Sequence, residues 1–169
     1  MRINLDDIKI VSLQEKDIDD YLTFINGVKA TMEHPEWLGD FSKEDLIHLL
    51  GNGSYAFFFQ YHDQTVGSSL IIPTREKDIT KFGLDYPYQE TMDYGPEGVL
   101  ADARGNGLQL FILEKMDEFS KNKGYKFAVS TVHPDNVYCI HNMEKHGFDY
   151  HETKEFTRGV RNIYKKDIK

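Results

Sequence analysis

A strand, a long amphipathic helix and a second strand follow one another between residues 94 and 132, and this succession constrains the fold most strongly. Apolar spacing predicts strands over residues 94–100 and 125–132 and a helix from residue 107 to about residue 123. A helix between two strands of one sheet brings the chain back parallel to its starting direction. We therefore expect a parallel strand pair joined by a crossover helix.

The remaining elements predict a mixed sheet. Apolar periodicity indicates strands over residues 8–13, 55–61, 65–72, 148–156 and 160–166, helices over residues 15–32 and 136–146, and a short helix that begins after Ser42 and ends at Gly51. The turn at residues 62–64 favours a hairpin, and the turn near Arg158 and Gly159 favours an antiparallel edge. These elements predict a mixed-sheet α/β or α+β architecture, and a single domain over residues 1–169.

Residues 74–92 mix charged and aromatic side chains without a clear period. A connection of this length inside a compact domain is usually functional, for example a lid or a binding loop. A short irregular helix that covers the sheet explains the same composition. The sequence leaves both alternatives open.

Composition and charge exclude several classes of protein. The 169 residues carry 20 Lys and Arg against 28 Asp and Glu, and the net charge of -8 disfavours nonspecific nucleic-acid binding. Cys139 is the one cysteine, so no internal disulfide forms and a reducing cytoplasm fits. The acidic N-terminus lacks the apolar core of a signal peptide, and no apolar run approaches the ~20 residues of a membrane helix.

A glycine-containing turn, Arg104-Gly105-Asn106-Gly107-Leu108-Gln109, lies between the predicted strand and helix. Its glycines let the backbone approach a ligand closely, and the N–H groups of a helix start favour an anion, although an ordinary turn before a helix has the same sequence. A P-loop is excluded because Leu108 and Gln109 stand where it needs Lys and then Ser or Thr. A dinucleotide fingerprint is excluded because Leu110 replaces its third glycine and residues 131–133 include no acid.

A second pattern starts where the next strand ends. Residues 136–148 read Asn-Val-Tyr-Cys-Ile-His-Asn-Met-Glu-Lys-His-Gly-Phe. The helix and turn of the GNAT acetyltransferase superfamily are matched by Asn136, Cys139, Lys145, Gly147 and Phe148. Its Arg/Gln-x-x-Gly-x-Gly/Ala loop is matched by Arg104 and Gly107, with Gln109 in place of the small residue. Because both patterns occur in the order of that family, residues 92–167 resemble a GNAT acetyltransferase of bacterial type.

The resemblance implies a GNAT-like acyl-CoA N-acyltransferase fold, in which a mixed, mostly antiparallel sheet has a bulged strand that splays from its parallel neighbour. Pro96 fits such a bulge, since proline within a sheet belongs at a bulge or an edge. The resemblance also implies acetyl-CoA as cofactor, with its pantetheine arm along the bulged strand and its pyrophosphate on the glycine turn. The implied cofactor-binding residues are Val99, Leu100, Ala101, Arg104, Gly105, Asn106, Gly107, Leu108, Gln109 and Asn136.

The implied reaction is direct attack of an amine on the acetyl thioester. An alkylamine with a pKa of about 10 is almost wholly protonated at neutral pH, so its proton must be removed. Carboxylates on or beside the splayed strand are the candidate bases, Glu97 first and Asp93 second. Met143 stands where many family members have a tyrosine acid, and Tyr138 is the nearest hydroxyl in sequence that could replace it.

These inferences predict a cytoplasmic, acetyl-CoA-dependent N-acetyltransferase that acts on a primary amine of a small molecule or peptide. The acidic residues Glu33, Glu36, Asp93 and Glu97 favour a cationic acceptor, and the resemblance allows a homodimer. Met143 favours an alternative, a CoA-binding sensor or regulatory module of the same fold without efficient turnover. The seven histidines show no metal-ligand spacing, so we expect no metal, and we expect neither a nucleic-acid nor a membrane partner.

Overall fold

The computed structural model describes residues 1–169. Its helices are α1 (Ile18–Ala30), α2 (Lys43–Gly51), α3 (Glu76–Phe82), α4 (Leu108–Asn122) and α5 (Val137–Lys145). Its strands are β1 (Lys9–Ser12), β2 (Tyr55–Tyr61), β3 (Gln64–Pro73), β4 (Thr91–Val99), β5 (Phe127–Val132), β6 (Asp149–Phe156) and β7 (Gly159–Asp167).

The strands form one seven-stranded sheet in the order β1-β2-β3-β4-β5-β7-β6. β4 and β5 are parallel, with α4 as the helix between them in the chain. The pairs β1–β2, β2–β3, β5–β7 and β6–β7 are antiparallel. The predicted mixed sheet with a parallel pair and a crossover helix is confirmed. None of the helices combines the length and the apolarity that a bilayer crossing requires.

The chain divides into two compact units, each built from two separate stretches of sequence. The first contains Met1–Ile71 and Pro96–Ile112, and the second contains Ile72–Gly95 and Leu113–Lys169. β4 and α4 each contribute residues to both units. The single domain over residues 1–169 stays a prediction.

An aromatic cluster joins α1 to β2 in the first unit. Phe58 stacks on Tyr21 with 6.4 Å between ring centroids and meets Phe24 edge-on at 5.7 Å. Burial of side chains of this size contributes about 1.5–3 kcal/mol each. The hairpin between β2 and β3 turns at His62 and Asp63, which have φ angles of 46° and 65°, as the sequence predicts for residues 62–64.

A capping box begins α2 at the predicted residue. The Asp45 N–H donates to Ser42 Oγ at 3.0 Å, and the Ser42 N–H donates to Asp45 Oδ2 at 3.0 Å. Leu46 then places the apolar side of this helix in the core, where it is 1% exposed. Local sequence therefore determines both the start and the orientation of α2.

Residues 74–92, for which the sequence left two alternatives, contain the short helix α3. Gly83 ends this helix in the left-handed conformation, with a φ of 66°. The buried side chains of this segment join those of β5 and β7 in one apolar cluster: Ile79, Phe82, Leu84, Val129 and Ile163. The segment covers the second unit's part of the sheet, as the helical alternative predicts.

Candidate active site

The glycine turn at residues 104–109, here called the cradle loop, presents backbone donors at the start of α4. Gly105 and Gly107 have φ angles of 80° and 74°, and nothing lies within 4 Å of the position that a Cβ on Gly105 would occupy. The N–H groups of Gly105, Gly107 and Leu108 donate to no acceptor in the protein. Left-handed residues before a helix aim such N–H groups at a common point, and the helix dipole adds positive potential there.

The side chain of Asn106 fixes the shape of the cradle loop. Its Oδ1 accepts the Ile3 N–H at 2.9 Å, and its Nδ2 donates to the carbonyls of Ala103 at 2.9 Å and Met1 at 3.1 Å. These bonds tie the loop to its own preceding turn and to the N-terminal segment. Asn106 thus has a structural role for its side chain that the sequence did not indicate.

Arg104 is an implied cofactor-binding residue, but its backbone N–H is already bonded within the protein. That N–H donates to the Ala101 carbonyl at 3.3 Å and closes the short turn that follows β4. Its guanidinium lies 3.5 Å from the Thr31 hydroxyl at the end of α1. The N–H of Leu100 is also occupied, because it donates to the Val66 carbonyl at 2.9 Å. The N–H groups of the cradle that remain open begin at Gly105.

The parallel pairing of β4 and β5 covers only three residue pairs. It runs from Thr91 opposite Phe127 to Asp93 opposite Val129 and ends there, although both strands continue. At the next residue the Ser130 hydroxyl donates to the Tyr94 carbonyl at 2.9 Å. A side chain thus replaces the backbone donor at the point where the ladder stops, as expected for a splayed pair.

β4 also carries one residue more than its other neighbour. The Thr74 N–H bonds the Thr91 carbonyl at one end of β3, and the Leu100 N–H bonds the Val66 carbonyl at the other. Between these two bonds the chain advances by eight residues on the β3 side, from Val66 to Thr74, and by nine on the β4 side, from Thr91 to Leu100. An unmatched residue on one strand is a β-bulge, and Pro96 lies in the interval that contains it.

Asp93 is a half-buried carboxyl group at the last paired residue of β4. Burial raises the pKa of Asp93 from 3.8 to about 7, and the nearby carboxylate of Asp78 acts in the same direction. The cations Arg158 and Lys81 oppose the shift without cancelling it. A carboxyl group with this pKa exchanges protons at neutral pH, as a general base must.

The other predicted catalytic residues lie in different environments. Glu97 is partly exposed on β4. Tyr138, at the start of α5, is 82% exposed, whereas Met143 on the same helix is 2% exposed. The Cys139 thiol lies 3.8 Å from the Met143 sulfur, so this face of α5 carries sulfur atoms rather than an acid.

Asn136 begins α5. Its Oδ1 accepts the Cys139 N–H at 3.3 Å and caps the helix, and its Nδ2 donates to no protein acceptor. Gly147 follows the helix with a φ of 94°, and Phe148 is 2% exposed. The second motif therefore has the helix and turn that the resemblance implies, and the Asn136 amide keeps two N–H groups available.

Sequence reasoning missed a buried polar cluster around Asp117 on α4. Asp117 bonds Tyr94, His146 and Lys166 in the second unit. One signal could have found it: Asp117 and the fully buried Ser120 interrupt the apolar face that Leu113 and Met116 otherwise continue. No group of three or more His, Cys, Asp or Glu side chains is arranged to hold a metal ion.

Neither a protein-family model nor a curated protein matches the sequence. Solved structures match the fold. An N-acetyltransferase from Staphylococcus aureus is 20% identical with a TM-score of 0.70, over 96% of this chain and 99% of that one. A GNAT-family acetyltransferase from Streptococcus pneumoniae is 16% identical with a TM-score of 0.72, over 96% and 99%.

An aminoglycoside acetyltransferase solved in complex with coenzyme A is 15% identical with a TM-score of 0.71, over 95% of this chain and 94% of that one. The chain therefore has the GNAT acetyltransferase fold. The resemblance drawn from the two motifs is confirmed at the level of the fold.

Proposed function

We propose that the protein is an acetyl-CoA-dependent N-acetyltransferase that acetylates a primary amine of a small molecule or peptide. The observation that carries this proposal is Asp93, a half-buried carboxyl group on β4 whose pKa is about 7, at the residue where the parallel pairing ends. Burial raises the pKa of a carboxyl group, and a pKa close to neutral pH suits a general base that takes a proton from an ammonium ion.

The cradle loop fits the pyrophosphate of coenzyme A. The open N–H groups of Gly105, Gly107 and Leu108 are the donors that a diphosphate requires, and the space beside Gly105 admits it. As the resemblance implies, Asn136 adds a hydrogen bond to the cofactor, and the backbone of Val99 and Ala101 holds the pantetheine arm. When bound, acetyl-CoA supplies the activated acetyl group.

Asp93 is the base in this proposal, ahead of Glu97, which the sequence ranked first. With a pKa of about 7, Asp93 can both accept a proton and release one at neutral pH. Nearby Lys81 and Arg158 keep the ionised form accessible despite burial. The contribution of such a group is about a hundred- to ten-thousand-fold in rate.

A second function, a CoA-binding sensor without efficient turnover, is favoured by Met143. Its buried thioether stands where the family has a tyrosine acid, and the exposed Tyr138 is no obvious replacement. A thiol leaving group with a pKa of about 8.5 departs without an acid, so the enzyme remains the primary proposal.

Acceptor-dependent release of free thiol from acetyl-CoA distinguishes the two functions. Polyamines, aminoglycosides, amino acids and peptides are offered to the wild type, Asp93→Asn and Glu97→Gln, and CoA affinity is measured by calorimetry. We expect turnover in the wild type, its loss in Asp93→Asn and a smaller decrease in Glu97→Gln, with CoA affinity unchanged. Tight CoA binding without acceptor-dependent release in the wild type would instead identify a sensor.

A further inference from the structure

The carboxylate of Asp117 meets three other polar side chains inside the second unit, those of Tyr94, His146 and Lys166. Its Oδ1 accepts the Tyr94 hydroxyl at 2.7 Å, and its Oδ2 lies 2.8 Å from His146 Nε2. Lys166 donates to the same Oδ2 and, at 3.3 Å, to the His146 carbonyl. The cluster thereby links β4, α4, the end of α5 and β7 through a single carboxylate.

The ion pair of Asp117 and Lys166 in this cluster is nearly inaccessible to water. The side chains of Lys166 and Asp117 are 8% and 11% exposed. Burial alone raises the pKa of Asp117, but hydrogen bonds from His146, Lys166 and Tyr94 outweigh it and hold that pKa below its ordinary value. Asp117 is therefore ionised throughout the working range of pH and holds its partners in place without exchanging protons.

Tyr94 is the residue of β4 that this cluster holds. Its hydroxyl is bonded by Asp117, its carbonyl accepts the Ser130 hydroxyl at 2.9 Å, and its ring meets Phe148 edge-on at 6.0 Å. The residue is 2% exposed. Tyr94 is thus restrained through both its backbone and its side chain, at the first position beyond the parallel register.

Asp93 precedes Tyr94 and points to the opposite face of the strand, because successive side chains of a strand alternate. The charges that act on its carboxyl group are those of Asp78 and Lys81 of α3 and Arg158 of the turn between β6 and β7. Fixing Tyr94 on one face consequently fixes where the carboxyl group of Asp93 lies on the other. Because burial raises the pKa of Asp93, a displacement of β4 that exposed its carboxyl group to water would lower that pKa.

We propose that Asp117, acting through the hydroxyl of Tyr94, is a positioning residue that holds Asp93 at the point where β4 and β5 stop pairing. The inference rests on the proposed function, because it takes Asp93 as the base. It extends that function by giving the buried polar cluster the role of positioning the base.

The test is a titration of the Asp93 carboxyl carbon by NMR in the wild type, Tyr94→Phe and Ser120→Ala. Tyr94→Phe removes one oxygen and keeps the ring on Phe148. Ser120→Ala is the matched control, because its hydroxyl lies 3.5 Å from the same tyrosine oxygen, too far for a strong bond. Thermal melts verify that all three proteins are folded.

In the wild type and in Ser120→Ala we expect Asp93 to titrate near neutral pH. In Tyr94→Phe we expect its midpoint to fall by at least one pH unit toward the value of an exposed aspartate. Where a turnover assay exists, the acidic limb of the pH–kcat profile moves by the same amount and KM for acetyl-CoA stays within about twofold.

An unchanged Asp93 titration in folded Tyr94→Phe would overturn the positioning role. That outcome is distinct from a failure of the proposed function, since the titration needs neither cofactor nor acceptor. If the wild type releases no thiol with any amine, but its Asp93 midpoint still depends on Tyr94, the positioning contact stands and the acetyltransferase proposal fails.

Discussion

The hydroxyl of Ser130 donates a 2.9 Å hydrogen bond to the carbonyl of Tyr94, one residue beyond the last parallel pair of β4 and β5. Both residues are buried, so this carbonyl cannot reach water instead. A side-chain donor that satisfies the first unpaired carbonyl lets two neighbouring strands separate without leaving a buried acceptor unbonded.

Replacing Ser130 by alanine should therefore destabilise the protein. An unsatisfied buried carbonyl costs about 1–3 kcal/mol, and we expect this loss in chemical denaturation. Ser68→Ala is the matched control, because Ser68 is a fully buried strand serine whose hydroxyl has no hydrogen-bond partner. Because this substitution removes an unsatisfied buried hydroxyl, it should leave the free energy of unfolding unchanged or higher. Equal losses in the two variants would contradict the assigned role of Ser130.

Asp93→Asn should stabilise the folded protein above neutral pH. The pKa of Asp93 is raised from 3.8 to about 7 on folding, so the folded state keeps a proton that the unfolded state has lost. The stability of the wild type therefore falls as pH rises from about 4 to 7 and levels off above. The side-chain amide of Asp93→Asn does not ionise and loses no stability in this range. Its free energy of unfolding should exceed that of the wild type by roughly 2–4 kcal/mol at pH 8.

The measurement is denaturant unfolding of both proteins at several values of pH. A difference that vanishes near pH 4 and grows up to pH 7 identifies the titrating group as Asp93. A constant difference across this range would mean that Asp93 has an ordinary pKa and is no better a candidate base than Glu97.

The buried ion pair of Asp117 and Lys166 should show strong coupling. Removing one partner leaves a buried charge, which costs about 3–5 kcal/mol, whereas replacing both by apolar residues is often neutral. We expect Asp117→Leu to destabilise strongly and the double variant with Lys166→Met to recover part of that loss. A double-mutant cycle in urea measures the coupling; additive effects would show that the two charges do not depend on each other.

Gly105→Ala should weaken the binding of coenzyme A. A Cβ disfavours the φ of 80° at Gly105, so the substitution turns the open N–H groups of the cradle loop away from a common point. Gly53→Ala is the control, since Gly53 also has a left-handed φ, of 90°, with open space around it, and lies outside the cradle loop. Calorimetry should give an about tenfold larger Kd for coenzyme A in Gly105→Ala and an unchanged Kd in Gly53→Ala. Equal Kd values for the two variants would show that the cradle loop does not bind coenzyme A.

The sequence predicted the elements whose signals are local. The capping box of Ser42 and Asp45, the hairpin turn at residues 62–64 and the helix behind Gly107 each depend on residues close together in the chain. The start of β4 was placed three residues late, at residue 94, because charged and aromatic residues before it have no clear alternation.

Features that depend on distant residues were not predictable. The pKa of Asp93 arises from burial and from Asp78 and Lys81 of α3 and Arg158 of the β6–β7 turn, which only the fold brings near β4, so the sequence ranked Glu97 higher. The ion pair of Asp117 and Lys166 joins residues 49 apart in the chain. The pKa of Asp93 has no local signal, and the only local signal of the Asp117 cluster is the interruption of the apolar face of α4 by Asp117 and Ser120.

Turnover as a function of pH shows whether Asp93 acts as the base of an acetyl transfer. Thiol release from acetyl-CoA is measured across the amine panel from pH 5 to 9, for the wild type and Asp93→Asn. We expect an amine-dependent rate in the wild type that rises through a pKa of about 7, and its near-complete loss in the variant. Equal amine-dependent rates in the two proteins at every pH would contradict this expectation.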